Sequence, residues 1–132
     1  APHVLVEEVT LASIRRAGDA FRAGDLRRRL ERHHGANVDV AFWGFHDVWL
    51  DPGFASWNIE ALLERIRVPL LVVQGEDDPY GTMSQVDAIR AGAGAPVETS
   101  ILPAPCGHAP HAAHPAAVLD AMTSFLRRIE LR

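Results

Sequence analysis

The feature that most constrains the fold is a continuous apolar run, "VPLLVVQG", at residues 68–75. An uninterrupted apolar run bounded by Pro and Gly is typical of a parallel strand that is buried on both faces. A segment with helical periodicity follows it, and then a second short strand-like segment at residues 97–102. Because two strands joined through a helix run parallel in one sheet, the second half of the chain is predicted to be an α/β unit.

The first half of the chain has helical periodicity from about residue 5 to residue 66. We predict one helix through residues 9–21, one from Asp25 after a glycine, and one from Asn58, which is a good N-cap residue. The last of these places four apolar side chains on one face: Ile59, Leu62, Leu63 and Ile66. The predicted division is a helical segment at residues 1–66 and an α/β part at residues 67–132.

An aromatic segment, residues 41–58, holds all three tryptophans and three of the five phenylalanines. Side chains concentrated in this way either pack in a core or line an apolar pocket. Gly44, Pro52 and Gly53 are expected to break regular structure, and irregular aromatic segments often form the wall of a ligand site. Trp43 is therefore a candidate substrate contact, as is Tyr80 in a later loop, although each of them can equally be a packing residue.

Charge and cysteine content exclude several classes of protein. Thirteen Lys and Arg against seventeen Asp and Glu give a net charge of -4, so there is no electrostatic reason to expect nucleic acid or an anionic membrane as a partner. No apolar run approaches the roughly 20 residues that span a bilayer. Cys106 is the single cysteine, so an internal disulfide is impossible and nothing indicates an oxidising compartment. We expect a cytoplasmic protein.

Two loops follow the two predicted strands: "GEDDPYG" at residues 75–81 and "APCGHAPH" at residues 104–111. Catalytic and ligand-binding groups collect at the carboxyl ends of parallel strands in open α/β sheets. A carboxylate of the first loop and His108 of the second are therefore expected to meet. The carboxylate would accept a hydrogen bond from one ring nitrogen and fix the tautomer, while the other nitrogen faces the reacting group.

The stretch "GHAPHAAHP" at residues 107–115 places His108, His111 and His114 three residues apart, which raises the alternative of a metal site. Ligands at this spacing suit a helix or a tight turn. Pro110 interrupts the first spacing and Pro115 starts a helix only after the last histidine, so the three imidazoles need not share a face. We expect no metal and no cofactor, with His111 supporting the loop.

Two further residues in these loops have alternative interpretations. Asp77 competes with Asp78 as the partner of the histidine, and either carboxylate can simply cap the turn before Pro79. Cys106 lies two residues before His108 and could be a nucleophile. Adjacent loop residues seldom point at each other productively, so a small buried thiol is the favoured interpretation.

Together these motifs resemble the α/β-hydrolase fold family. "VPLLVVQGEDDPYG" is similar to the family's strand and acid loop, in which a Gly is followed three residues later by the catalytic Asp, here Asp78. "CGHAPHAAHP" is similar to its histidine loop, with the catalytic His directly after a Gly, here His108. The aromatic helical insertion ahead of the acid strand resembles the family's cap.

The resemblance covers only the carboxyl-terminal half of that fold. The family's nucleophile lies in G-x-S-x-G on a strand-to-helix turn, and this motif is absent from the chain. The serines all lack its context: Ser13, Ser56, Ser84, Ser100 and Ser124. The opening "APHVLV" resembles the end of the strand that follows the nucleophile helix. The resemblance therefore implies a fragment, or a chain that has lost its first half.

What the resemblance implies for function is hydrolysis of a small or medium apolar ester or related acyl compound. His108 would activate a serine supplied by the missing half, and Asp78 would orient the ring. The chain alone is expected to be inactive and, because its sheet edge is open, to form a homo-oligomer or associate with the missing half. The alternatives are hydrolysis of a C–C bond, lactone, epoxide or haloalkane, and a non-catalytic binding or assembly module.

Overall fold

The computed structural model describes residues 1–130, which form two compact units. One unit is the helical segment Val6–Trp57, and the other combines Ala1–Leu5 with the chain from Asn58 onward. The helical unit is thus narrower than the predicted segment at residues 1–66. The last two residues of the predicted α/β part lie outside the described residues.

The helical unit consists of three helices, with one 3₁₀ turn between the second and third and another after the third. Its elements are α1 (Glu8–Arg22), α2 (Asp25–His34), a 3₁₀ turn (Gly35–Asn37), α3 (Val38–Leu50) and a second 3₁₀ turn (Pro52–Phe54). The predictions of a helix through residues 9–21 and of one that begins at Asp25 are confirmed. Gly24 has a φ of 96°, a left-handed conformation that glycine adopts without strain and that lets the chain turn between α1 and α2.

Helix α3 corrects one prediction about the aromatic segment. Gly44 does not break regular structure, since α3 runs through it without interruption. A single glycine inside a helix costs only about 1 kcal/mol relative to alanine. Phe42, in the same part of α3, stacks on Phe21 of α1 at a centroid distance of 3.9 Å. The α-helix does end at Leu50, shortly before Pro52, but Pro52 and Gly53 form a 3₁₀ turn.

The other unit has a two-stranded parallel sheet with flanking helices, which confirms the mixed α/β prediction. Its elements are α4 (Glu60–Leu63), β1 (Leu70–Gly75), α5 (Met83–Gly92), β2 (Val97–Leu102), α6 (Pro110–Ala113) and α7 (Pro115–Glu130). The strands pair in register from Leu70 opposite Val97 to Gly75 opposite Leu102. Both strands and the start of α7 at Pro115 lie where the sequence predicts them.

The core of this unit lies on one side of β1. Its five buried members come from four separate segments: Val4, Leu63, Val72, Val86 and Ile89. On the other side of the strand, Leu71 and Val73 are only partly buried and border α7 at Phe125. The prediction that β1 is buried on both faces therefore holds fully for one face only.

The helix predicted from Asn58 is shorter in the structure than the sequence predicts. Asn58 does accept a hydrogen bond from the Glu60 N–H at 2.7 Å, but α4 contains a single turn. At its end the Leu63 carbonyl accepts from the Ile66 N–H at 3.0 Å, in a tight turn, and from the Gly94 N–H at 3.2 Å, which follows α5. Leu62, predicted on the apolar face, is 48% exposed.

Two further observations concern helices. The short helix α6, which the sequence analysis does not predict, begins at Pro110, because proline is well tolerated in the first turn of a helix. Within residues 1–130, none of the helices combines the length and apolar character needed to cross a membrane.

Candidate functional site

The acid loop (residues 75–81) and the histidine loop (residues 104–111) meet where β1 and β2 end. The Glu76 N–H donates to the Leu102 carbonyl at 2.9 Å, which continues the strand pairing into the loops. A Cβ atom added to Gly75 would collide with the backbone carbonyl of Gly107 and lie 2.9 Å from the Sγ of Cys106. Only a glycine at the end of β1 lets the histidine loop approach so closely.

His108 and Asp78 are hydrogen-bonded in this structure. The Nδ1 of His108 lies 3.0 Å from Oδ1 and 2.9 Å from Oδ2 of Asp78. The Asp78 side chain is 1% exposed and that of His108 is 41% exposed. Because an ionised carboxylate can only accept, Nδ1 carries the proton and Nε2 is left with a free lone pair. The arrangement can therefore take up a proton at Nε2.

Two more groups hold the Asp78 carboxylate. The Tyr80 N–H donates to Oδ1 at 2.8 Å, and the Nε2 of Gln74 donates to Oδ2 at 3.1 Å. Gln74 also donates to the Gly81 carbonyl at 2.8 Å and is 1% exposed. Our sequence reasoning missed Gln74. The available signal was a polar residue at the end of an otherwise apolar strand.

Asp77, the alternative acid, has a different set of partners. Its Oδ1 accepts from the N–H of Gly107 at 2.8 Å and from that of Cys106 at 3.0 Å. These two backbone bonds lower the pKa of the Asp77 carboxyl below its usual value. Asp77 thus fastens the histidine loop through its backbone, whereas Asp78 contacts the imidazole itself.

Cys106 does not have the surroundings of a reactive thiol. Desolvation raises its pKa, and the negative charges of Asp77 and Asp78 raise it further. The thiolate is the nucleophilic form of cysteine, so these neighbours disfavour reactivity at neutral pH. Cys106 was predicted to be a small buried thiol, and the structure has it partly buried.

Two rings lie beside His108. The Tyr80 ring centroid is 4.9 Å from that of His108, and the His3 centroid is 5.6 Å away. Tyr80 was proposed from the sequence, but His3 was not, because nothing in the local pattern of residues 1–5 relates it to the second loop. Segment 1–5 reaches the site because Gln85 of α5 accepts from the Val4 N–H at 2.7 Å.

Trp43, the other predicted substrate contact, belongs to the helical unit. Its ring packs edge-on against Phe42 and His46, each at 4.9 Å, and against Phe21 at 5.3 Å. The guanidinium of Arg22 lies 4.9 Å from the centre of the same ring. These contacts describe a packed residue in an aromatic cluster.

The other two histidines of the stretch at residues 107–115 have different surroundings. His111 is exposed on α6, and the Nε2 of His114 lies 3.2 Å from the Pro103 carbonyl oxygen. Within residues 1–130, His, Cys, Asp and Glu side chains form no group of three or more that could hold a metal ion. The three histidines therefore have different environments rather than a common ligand.

Comparisons of this chain with protein-family models, with curated proteins and with solved structures found no match. The function has to be inferred from the chemistry of the site.

Proposed function

We propose that this chain carries the acid and the general base of an α/β-hydrolase-type Ser-His-Asp triad. The observation that supports this is the hydrogen bond from the His108 Nδ1 to the buried carboxylate of Asp78, between loops at the ends of two parallel strands. A carboxylate in this position orients the imidazole, holds it in the Nδ1–H tautomer and stabilises the imidazolium that forms during reaction.

In the proposed reaction the Nε2 of His108 removes the proton of a serine hydroxyl, whose oxygen attacks the acyl carbon. The imidazolium then gives that proton to the leaving alcohol, and a water molecule releases the acid by the same two steps. The serine and the backbone donors for the oxyanion lie outside these 132 residues, because no G-x-S-x-G motif occurs among them. Asp78 stays ionised throughout.

The proposed substrate is a small or medium apolar ester or related acyl compound. The support is the aromatic segment at residues 41–58, which resembles a hydrolase cap in sequence. The same His–Asp pair serves the hydrolysis of C–C bonds, lactones, epoxides and haloalkanes. A panel with one activated compound of each class, assayed in parallel, distinguishes these reactions.

The test uses the chain expressed together with the coding sequence that precedes it. We expect turnover of an activated ester that His108→Ala abolishes and that Asp78→Asn lowers by about 10⁴-fold in kcat, as in serine protease triads. His111→Ala is the matched control, since it removes an exposed imidazole from the same loop region. Turnover that survives His108→Ala contradicts the proposal.

The second candidate is a non-catalytic assembly module that pairs with a second copy of the chain. The observation that favours it is a set of exposed apolar side chains on α7: Leu119 (63%), Met122 (48%) and Leu126 (49%). They continue an open groove of about 350 Å³ that also contains Leu71 and Val73 of β1. Exposed apolar patches of this kind often mark an interaction surface.

Sedimentation velocity tests this alternative. An assembly module should be a dimer that Met122→Lys dissociates, while Leu62→Lys, at an equally exposed position on α4, leaves it intact. A monomer over the whole concentration range rules out the second candidate and leaves the first unaffected.

A further inference from the structure

We propose that Gln74 is a positioning residue, which fixes the Asp78 carboxylate so that His108 is held in its Nδ1–H tautomer. This inference rests on the proposed function of the His108–Asp78 pair and gives a role to a residue of the acid strand to which the sequence motif assigns none.

Gln74 occupies a position where the strand pattern favours an apolar side chain. Successive side chains of a strand point to opposite faces, so Gln74 shares a face of β1 with Leu70 and Val72, which pack in the core. It is 1% exposed. Burying a primary amide is unfavourable unless its polar atoms find hydrogen-bond partners. The amide nitrogen of Gln74 has such partners, whereas its Oε1 has no hydrogen-bond partner in the part of the chain that the structure describes. The contacts of the nitrogen therefore offset only part of the cost of burying this amide.

Both protons of the Gln74 amide are used. Nε2 lies 3.1 Å from the Oδ2 of Asp78 and 2.8 Å from the carbonyl oxygen of Gly81. The first contact acts on the carboxylate, and the second closes the loop that carries it. The buried Gln74 side chain thus stabilises the closed form of the acid loop and also orients the Asp78 carboxylate.

The Asp78 carboxylate consequently has one protein donor on each oxygen, in addition to His108. The Tyr80 N–H holds Oδ1 at 2.8 Å, and Gln74 holds Oδ2. Rotation of the carboxylate about its bond to Cβ would break both of these contacts. The His108 Nδ1 meets a carboxylate whose orientation is already set by the acid loop and the strand.

This orientation matters because only one tautomer is productive. With the proton on Nδ1, the Nε2 of His108 has a lone pair that can accept a proton from a hydroxyl group. A carboxylate free to rotate leaves the ring less restricted, and the Nε2–H tautomer, which cannot accept at that atom, becomes populated. Gln74 would therefore act on the reaction through Asp78 and His108, without touching substrate.

The experiment is ¹⁵N NMR of the 132-residue chain with labelled histidine, at a pH where the His108 ring is neutral. We expect the unmodified chain to show one tautomer, protonated on Nδ1. Gln74→Met keeps an unbranched side chain but has no donor, and we expect a mixture of tautomers. Val72→Ala is the matched control: it removes buried volume from the same face of β1 but no polar contact with the loop, so the single tautomer should persist.

The outcomes separate this inference from the proposed function. A single Nδ1–H tautomer in Gln74→Met overturns the role of Gln74 and leaves the His108–Asp78 pair standing. A single Nδ1–H tautomer in Asp78→Asn instead overturns the proposed function. If Gln74→Met does not fold, Gln74→Leu replaces it, because its side chain also has no hydrogen-bond donor. The same mixture of tautomers is then expected, and its absence overturns the inference.

Discussion

Asp77 and Asp78 are neighbours in the chain, yet they stabilise the histidine loop in different ways. Asp78 is buried and its carboxylate contacts the His108 ring, while Asp77 is exposed and its carboxylate accepts backbone N–H groups of the same loop. One residue thus orients the imidazole, and the other fastens the backbone that carries it. The two contributions can be separated by pH and by mutation.

The pH dependence of the histidine loop should follow Asp77. Its pKa is lowered by hydrogen bonds from Gly107 and Cys106, so its contribution is fully present above the ordinary value of 3.8 and is lost as the pH falls through the lower folded value. In an NMR titration we expect the amide signals of Cys106 and Gly107 to move together below that value. Asp77→Asn should abolish this common inflection, and an unchanged inflection in the variant contradicts the assignment.

Helices α1 and α3 contact each other at a position that allows no side chain. A Cβ atom on Gly18 of α1 would lie 2.5 Å from the Nε2 of His46 in α3. His46 is buried, and its ring packs at 5.6 Å from Phe42 and 4.9 Å from Trp43, so it cannot easily move away. Within the helical unit, Gly18 is therefore a packing glycine, whereas Gly44 of α3 has no atom within 4 Å of an added Cβ.

We predict opposite effects for Gly18→Ala and Gly44→Ala. Both gain about 1 kcal/mol of helix propensity. Gly44→Ala should keep that gain, while Gly18→Ala should lose about 1–3 kcal/mol net, because the buried imidazole has to shift. The free energy of unfolding in urea measures both. Equal stabilisation by the two variants would show that His46 does not pack against α1.

The attachment of residues 1–5 to the sheet unit depends on Gln85 of α5. Its Oε1 accepts from the Val4 N–H at 2.7 Å, and its Nε2 donates to the Leu5 carbonyl at 3.0 Å. Gln85 is fully buried. This segment carries His3 to the candidate site, so the glutamine connects a helix of the fold to the surroundings of His108.

Gln85→Leu should destabilise the sheet unit by about 2–5 kcal/mol, because it leaves buried N–H and C=O groups of segment 1–5 without their partner. Ser84→Ala, at the neighbouring exposed position of α5, is the control and should change the free energy of unfolding by no more than about 0.5 kcal/mol. Urea denaturation followed by circular dichroism compares them. A loss no greater in Gln85→Leu than in the control would contradict this role.

At the scale of the whole molecule, the chain has a candidate acid–base pair but no nucleophile motif. The pair is formed entirely within the unit of residues 1–5 and 58–130. We therefore expect the 132-residue chain alone to hydrolyse an activated ester no faster than its His108→Ala variant. Saturable turnover that His108→Ala abolishes would show that a nucleophile lies within these residues, and would end the proposal that it is supplied from outside.

Several elements were predictable because their signals are local. The apolar run of β1, the glycine before Asp25 and Pro115 at the start of α7 each act within a few residues, and the structure has these elements where the sequence predicts them. The helix at Asn58 was predicted too long. At its end the Leu63 carbonyl accepts from Ile66 in a tight turn and also from Gly94, which lies beyond the next strand and helix. No pattern near Asn58 contains that contact.

The sequence by itself determined the order of strands, helices and loops, and with it the expectation that an acid of the first loop meets His108. Periodicity and turn residues encode these features over short distances along the chain. Only the tertiary structure decided that Asp77 accepts backbone N–H groups of the histidine loop, that Gln74 holds the acid, and that His3 lies nearby. Side-chain direction in a loop depends on hydrogen-bond partners from distant segments, and those are specified only when the chain is folded.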